Sequence, residues 1–197
     1  WVLKIKRLPD GRLDKYKARL VVKGYRQVHG LDYDLLFAPV AKRTSLLFFL
    51  HFVALENFEC HALDYNTAFL NGVLEEDIYI EQPELYEDGT NRVLKLNKAL
   101  YGLKQAPRQW YKALTTKMKA AGFVFCAVDA AVARVSFKGL TVWVLFYVDD
   151  VLIAAKELAK LQGVKELLLQ VYEGTDKGEV REFLGLTIHR DRAKRLL

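Results

Sequence analysis

The segment VWVLFYVDDVLIAA, residues 142–155, constrains the fold of this chain more than any other. Its two halves are apolar runs of strand length, rich in β-branched and aromatic residues, interrupted only by Asp149 and Asp150. Such runs read as buried strands, so the chain reverses direction at the carboxylates. An ordinary turn explains one Asp, because its side chain bonds nearby backbone N–H groups. Two details go further. Two-residue hairpin turns favour Gly where φ is positive, whereas Tyr147-Val148-Asp149-Asp150 has none, and a β-branched Val in such a turn implies backbone strain. Two like charges at the mouth of an apolar hairpin also repel, raising a pKa unless a cation neutralises them.

The flanking sequence supplies the rest of a sheet. WVLKIKRL and YKARLVVKG alternate apolar and basic residues around PDG, predicting a hairpin with a basic face. Thr44 or Ser45 is placed to cap a helix over LLFFLHFVALEN. FECHALD (58–64) reads as a short buried strand ending at Asp64, followed by the turn-rich NTAFLNG and two strands, DIYIEQP and RVLKLN. QAPRQWYKALTTKMKAAG predicts a helix with Pro107 in its first turn and Gly122 closing it. VARVSFKGLTVWVLFY predicts a hairpin turning at Lys138-Gly139. KELAKLQGVKELLLQVYEG then predicts an amphipathic helix, and EVREFLGLTIHRD a last strand. From Asp64 onward the order is close to the ferredoxin-like split βαβ arrangement, an α+β fold whose antiparallel sheet carries helices on one face. In that topology the strand ending at Asp64 neighbours the central hairpin, although 85 residues separate Asp64 from Asp149.

Composition narrows the function classes. Residues 1–26 carry nine Lys or Arg against Asp10 and Asp14, a net of +7, so the rest of the chain nets −1 within a total of +6. One basic element holding all the excess charge is the footprint of a surface that faces phosphates; a solvated polar strand face is the plainer alternative. The longest apolar stretches, such as 46–55, are too short to span a bilayer, and the alternating N-terminal residues do not form a signal peptide. Two cysteines, Cys60 and Cys126, predict no disulfide framework and favour an intracellular, reducing setting. The four His are scattered, without zinc-ligand spacing.

Three carboxylates at strand ends suit a hard cation. Mg²⁺ takes oxygen ligands, commonly one or two carboxylates plus substrate phosphates, and a pair of such ions about 3.5–4 Å apart clamps the attacking and leaving oxygens of a phosphoryl displacement. Asp64 and Asp149, with Asp150 adjoining, are the candidate ligands.

At this point the motifs become recognisable. Tyr147-Val148-Asp149-Asp150 resembles the YxDD box of reverse transcriptases, and LYGLKQAPRQWY (100–111) resembles the signature of the copia-type LTR-retrotransposon members. YKARLVVKG (16–24), LDYDLLFAPVAKRTS (31–45), LDYNTAFLNGVLEEDIYIEQP (63–83) and REFLGLTIHRD (181–191) are similar to that family and follow its order, so the resemblance covers essentially the whole chain.

The resemblance implies a single reverse transcriptase domain over 1–197 with a right-hand polymerase fold. Fingers elements would span about 1–58 and 72–104, the palm 59–71 and 105–180, and residues 181–197 a primer-grip strand leading toward the thumb. It implies an RNA-directed DNA polymerase, a nucleotidyltransferase that adds deoxynucleotides to a primer 3′-hydroxyl with two Mg²⁺ ions, Mn²⁺ being a possible substitute. Asp64, Asp149 and Asp150 match the catalytic positions and, with the Tyr65 carbonyl, the metal ligands. Lys17 and Arg19 match positions that hold the triphosphate, and Phe69 matches an aromatic gate against the ribose 2′-hydroxyl. Gly102, Gln105 and Pro107 match a segment beside the template base and nucleotide, and Tyr65 lies in the same nucleotide-binding set. Phe183, Leu184 and Gly185 match the primer grip. Implied partners are an RNA or DNA template with its primer, deoxynucleoside triphosphates, and the integrase and ribonuclease H of a longer polyprotein, with no membrane. The implied setting is cytoplasmic, in virus-like particles. Tyr65-Asn66 stand where the family more usually has Val-Lys, and 129–133 (DAAVA) lack the family's Pro and aromatic residue. Neither departure removes a metal ligand. A decayed or repurposed copy that binds nucleic acid without catalysis is the alternative function.

Overall fold

In the computed structural model, residues 1–8 and 10–197 are described. Pro9, part of the predicted PDG turn, lies outside the described residues. In chain order the elements are β1 (Val2–Arg7), β2 (Leu13–Arg19), α1 (Arg43–Leu55), β3 (Glu59–Tyr65), β4 (Tyr79–Ile80), β5 (Leu94–Lys95) and α2 (Ala106–Ala120). They continue with β6 (Val124–Phe125), β7 (Val132–Phe137), β8 (Leu140–Tyr147), β9 (Asp150–Ala155), α3 (Leu158–Val171), β10 (Gly174–Glu179), β11 (Glu182–Phe183) and β12 (Leu186–Thr187). The fold is α+β with antiparallel strand pairing, and no helix among the described residues is long and apolar enough to cross a membrane.

The chain forms two compact units, one of residues 1–37 and 69–110, the other of 38–68 and 111–197. In the first, β1 and β2 pair with Lys4 opposite Lys17 and Lys6 opposite Lys15. Directly opposed residues share a face, so the alternation read in the sequence places Lys4, Lys6, Lys15, Lys17 and Arg19 on one side of the hairpin. A small apolar cluster of Ile78, Ala99, Leu103 and Ala106, joined by Phe69, Val22 and Leu100, forms this unit's core.

The second unit is built on a six-stranded sheet of order β10-β3-β9-β8-β7-β6. β9 runs antiparallel to both β3 and β8, so β3 and β8 are parallel to each other with β9 inserted between them. β3 likewise separates β9 from β10. Both crossovers are therefore split βαβ units, as the element order predicts. Lys138 and Gly139, at φ 48° and 86°, make the predicted β7–β8 turn.

Three expectations are corrected. Helices do not lie on one face only. Alternate side chains of a strand point to opposite faces, and α1 packs through Leu46, Phe49, Leu50 and Val53 on Cys60, Ala62, Leu145, Leu152 and Ala154. α3 lies on the other face, where the Tyr65 hydroxyl donates to the Leu168 carbonyl and Lys165 meets His61. Residues 43–55, grouped by resemblance with the N-terminal elements, thus pack within the sheet unit. Each large side chain α1 buries contributes about 1.5–3 kcal/mol relative to exposure.

Second, neither Thr44 nor Ser45 is the N-cap. Lys42 is, without a side-chain cap bond of its own. The capping carboxylate comes from 87 residues away: Asp129 Oδ2 accepts the Lys42 N–H at 3.0 Å. Third, the last strand of the sheet is β10, sequence GTDKGE, upstream of the predicted EVREFLGLTIHRD strand. The latter region folds instead as the two-residue hairpin β11–β12.

Candidate active site

The sheet register brings the predicted carboxylates together. β3 and β9 pair so that Asp64 is directly opposite Asp150, and Tyr147 of β8 is opposite Asp150 on its other side. By strand alternation Asp64 and Asp150 point to the face that α1 covers further along the sheet. Asp149 occupies the two-residue turn with Val148, which is held at φ 58°. A β-branched residue in the left-handed region costs about 1–2 kcal/mol, so the strain expected from the sequence is present. The turn is tied to the next strand, because the Tyr65 N–H donates to the Asp149 carbonyl at 2.8 Å.

Electrostatics mark the same place. Burial raises the Asp150 pKa, and the charges of Asp149 and Asp64 raise it further, while Lys177 opposes them. Lys177, in β10, places its Nζ 2.8 Å from Asp64 Oδ2. That hydrogen bond in turn raises the Lys177 pKa, with the charges of Asp64, Asp150 and Asp149 adding to it.

Tyr65 contributes its backbone here and not its ring. The ring is buried on the α3 face at 1% exposure, where burial pushes its hydroxyl pKa up. Asn66 fastens the end of β3: its N–H donates to the Glu173 carbonyl, its side-chain amide donates to Glu173 Oε1, and its Oδ1 accepts from Thr175 Oγ1.

The first unit holds five of the predicted nucleotide-binding residues. Arg19 places its guanidinium 5.2 Å from the centre of the Tyr101 ring, and Phe69 packs against that ring at 4.5 Å between centroids. Lys17 lies on the same side of β2 as Arg19. Gly102, at φ 94°, approaches the Val22 backbone so closely that a Cβ would lie 2.0 Å from the Val22 carbonyl oxygen. Gln105 is fully buried; its amide donates to the Asp32 carbonyl and to Glu76, and its oxygen accepts from Gln27. These contacts give Gly102 and Gln105 structural roles within the unit.

A sequence profile described as reverse transcriptase (RNA-dependent DNA polymerase) matches residues 1–196. The chain belongs to the reverse transcriptase family. Among curated proteins, this reverse transcriptase domain is similar to the Retrovirus-related Pol polyprotein from transposon TNT 1-94 of Nicotiana tabacum, 43% identical over all of the chain and 15% of that polyprotein. It is also similar to the polyproteins from transposons RE1 and RE2 of Arabidopsis thaliana, 41% and 38% identical, each over 96% of the chain and 13% of the relative. The chain thus spans a small fraction of the length of the curated relatives it matches. The copia-type resemblance read from the motifs agrees with these plant transposon relatives.

Within this reverse transcriptase domain, Phe183 is buried in the α1 core cluster. Leu184 and Gly185 form the β11–β12 turn, both at positive φ. Sequence reading missed Lys177, Asp129 and Tyr101. Lys177 lies in the polar GTDKGE stretch, which carries no apolar alternation. Tyr101 sits inside the recognised LYGLKQAPRQWY block without a role of its own.

Among the described residues no three His, Cys, Asp or Glu side chains converge on a single ion position. The donor chemistry nevertheless fits a hard divalent cation. It consists of oxygen donors alone, with Asp64 and Asp150 directly opposed on one sheet face, where burial and the neighbouring charges raise the Asp150 pKa.

Proposed function

We propose that the domain extends a primer on an RNA or DNA template as a copia-type RNA-directed DNA polymerase. The observation that carries this reading is the β3–β9 register, which sets Asp64 opposite Asp150 while the Tyr65 N–H ties down the Asp149 carbonyl. Asp64, Asp149 and Asp150, with the Tyr65 carbonyl, would hold two Mg²⁺ ions. When bound, these ions supply charge neutralisation and alignment for in-line phosphoryl transfer.

The protein's own work is positioning. The rigid apolar strands β8 and β9 mount the carboxylates, with Val151, Leu152 and Ile153 all at 0% exposure. Lys17 and Arg19 meet the triphosphate, and Phe69, braced by Tyr101, stands against a ribose 2′-hydroxyl. In this reading residues 1–58 and 72–104 are fingers elements, 59–71 and 105–180 are the palm, and 181–197, with the β11–β12 turn, grip the primer. Template, primer, deoxynucleotides and the remainder of a polyprotein are the partners, in a cytoplasmic particle.

The test is primer extension on poly(rA)/oligo(dT) with Mg²⁺. Asp149→Asn is expected to abolish extension while leaving primer–template affinity within a few fold. Equal extension rates in the variant and the parent would remove the carboxylate assignment. Failure of the parent itself to extend, with normal duplex binding, would favour the non-catalytic binding module.

A further inference from the structure

An ionic cluster built on one buried lysine lies on the opposite side of β3 from the carboxylate site. Lys165 of α3 has a side chain 2% exposed, and its Nζ meets both oxygens of Asp176 at 2.7 and 2.8 Å. The same Nζ is 2.8 Å from His61 Nδ1. A Lys ammonium only donates, so Nδ1 is the acceptor and the ring is neutral. Burial and the Lys165 charge both lower the His61 pKa, in keeping with that state.

Asp176 has a second task. Its Oδ1 accepts the Gly178 N–H at 2.8 Å, closing a tight loop around residue 177. That loop coincides with a break in the β10–β3 register: Asp176 is opposite Leu63 and Gly178 is opposite Ala62, so Lys177 is the extra, unpaired residue of a β-bulge. Bulges beside functional sites re-aim a side chain. Here the bulged residue is the one whose Nζ reaches Asp64. Gly178, at φ 71°, supplies the backbone conformation the bulge requires.

We propose that the Lys165–Asp176 pair, seated on His61, is a positioning device that sets the β10 bulge and aims Lys177 at Asp64. Lys177 is thereby a resident counter-cation that a divalent ion must displace. The exchange replaces a +1 ammonium at the Asp64 carboxylate with a 2+ ion, so the site gains one positive charge against its three carboxylates. The inference rests on the reading of Asp64 as a metal-binding carboxylate. Lys165 and Asp176 act through Lys177 and touch neither substrate nor ion.

The experiment is a Mn²⁺ titration of the full chain by electron paramagnetic resonance, without nucleotide or primer, so that no catalysis is needed. Lys177→Met is expected to bind Mn²⁺ about fivefold more tightly, the size appropriate to a half-exposed ion pair. Asp176→Asn and Gly178→Ala, the latter leaving every charge in place, should each tighten binding by about two- to threefold, since a loosened bulge weakens the competing pair. In a Lys177→Met background both effects should vanish, an outcome that a general loss of stability does not produce. Wild-type Mn²⁺ affinity in Asp176→Asn and Gly178→Ala, or an undiminished effect in the Lys177→Met background, overturns the proposal. So does Lys177→Met at wild-type affinity. If Asp176→Asn fails to fold by circular dichroism, Gly178→Ala carries the test alone. Asp64→Asn separates the two readings: if it binds Mn²⁺ like the parent, the metal assignment itself falls.

Discussion

Asp129 is the residue whose removal should reveal how the layer beneath the site is held. It is 6% exposed and accepts the Lys42 N–H and the Ala131 N–H, each at 3.0 Å, with the Ser45 hydroxyl as a further donor. Asp129→Ala strands the Ala131 N–H, in a residue at 0% exposure, at about 1–3 kcal/mol. It also removes the carboxylate from the N-terminus of α1, a capping loss of about 1 kcal/mol. The expected destabilisation is therefore about 2–4 kcal/mol, a large share of the 5–15 kcal/mol that holds a typical domain together. Asp129→Asn keeps one acceptor oxygen but turns its NH2 toward the other backbone N–H, since Lys42 and Ala131 bond different carboxylate oxygens, and should lose about 1–2 kcal/mol.

The two variants also differ in pH dependence. Burial works to raise the Asp129 pKa, but hydrogen bonds from Ser45, Ala131 and Lys42 and the Lys42 charge prevail, and the folded value is lowered. A depressed carboxylate contributes stability that is present above its unfolded pKa of about 3.9 and is lost as pH falls through the folded value. In urea titrations followed by circular dichroism, the gap between parent and Asp129→Asn should be constant near neutrality and shrink below about pH 4. A gap unchanged down to the acid limit, or an Asp129→Ala midpoint within about 0.5 kcal/mol of the parent, would refute the capping account.

Two further outcomes are expected. Gly163→Ala in α3 puts a Cβ 2.4 Å from the Phe137 ring, so urea unfolding should show a loss of about 1–3 kcal/mol, partly offset by the roughly 1 kcal/mol of helix propensity that Ala gains over Gly; a variant as stable as the parent means the ring swings aside. Phe69→Ala should raise ribonucleotide over deoxynucleotide incorporation in primer extension, and an unchanged ratio returns Phe69 to a purely packing role.

What the sequence made legible follows from which interactions are local. The 138–139 turn announces itself through Lys-Gly, the 148–149 reversal through two carboxylates inside an apolar run, and the helix carrying Pro107 in its first turn through its start and stop residues, and the structure contains each. β10 was hidden because GTDKGE has two glycines and no apolar face; it is a strand because β3 offers it hydrogen-bonding partners. The cap of α1 was hidden for a related reason, its acceptor lying 87 residues away in a stretch noted only for lacking the family's Pro and aromatic residue. Gly102 and Gln105 illustrate the reverse limit. A motif marks them as important; in the fold one makes a close backbone approach and the other a buried amide network, roles that no spacing rule tells apart from nucleotide contact or from both together.

The carboxylate pair is less symmetric than its sequence suggests. Asp150 is the first residue of β9, and the pleat fixes its direction toward Asp64. Asp149 belongs to the turn, where its carbonyl is engaged by the Tyr65 N–H and its neighbour Val148 holds the backbone at positive φ. Asp64 and Asp150 are therefore set opposite each other by backbone pairing, and Asp149 sits in the turn that this pairing closes. Repulsion among surface acids is ordinarily relieved when side chains turn away into water. Here relief by backbone movement would break β3–β9 hydrogen bonds that hold a core at 0% exposure. Burial first, and the charges of Asp149 and Asp64 after it, raise the Asp150 pKa, a demand for a nearby cation. Lys177 meets part of that demand from within the fold. On the proposed metal-binding reading, a divalent ion would enter this site by displacing Lys177 from Asp64.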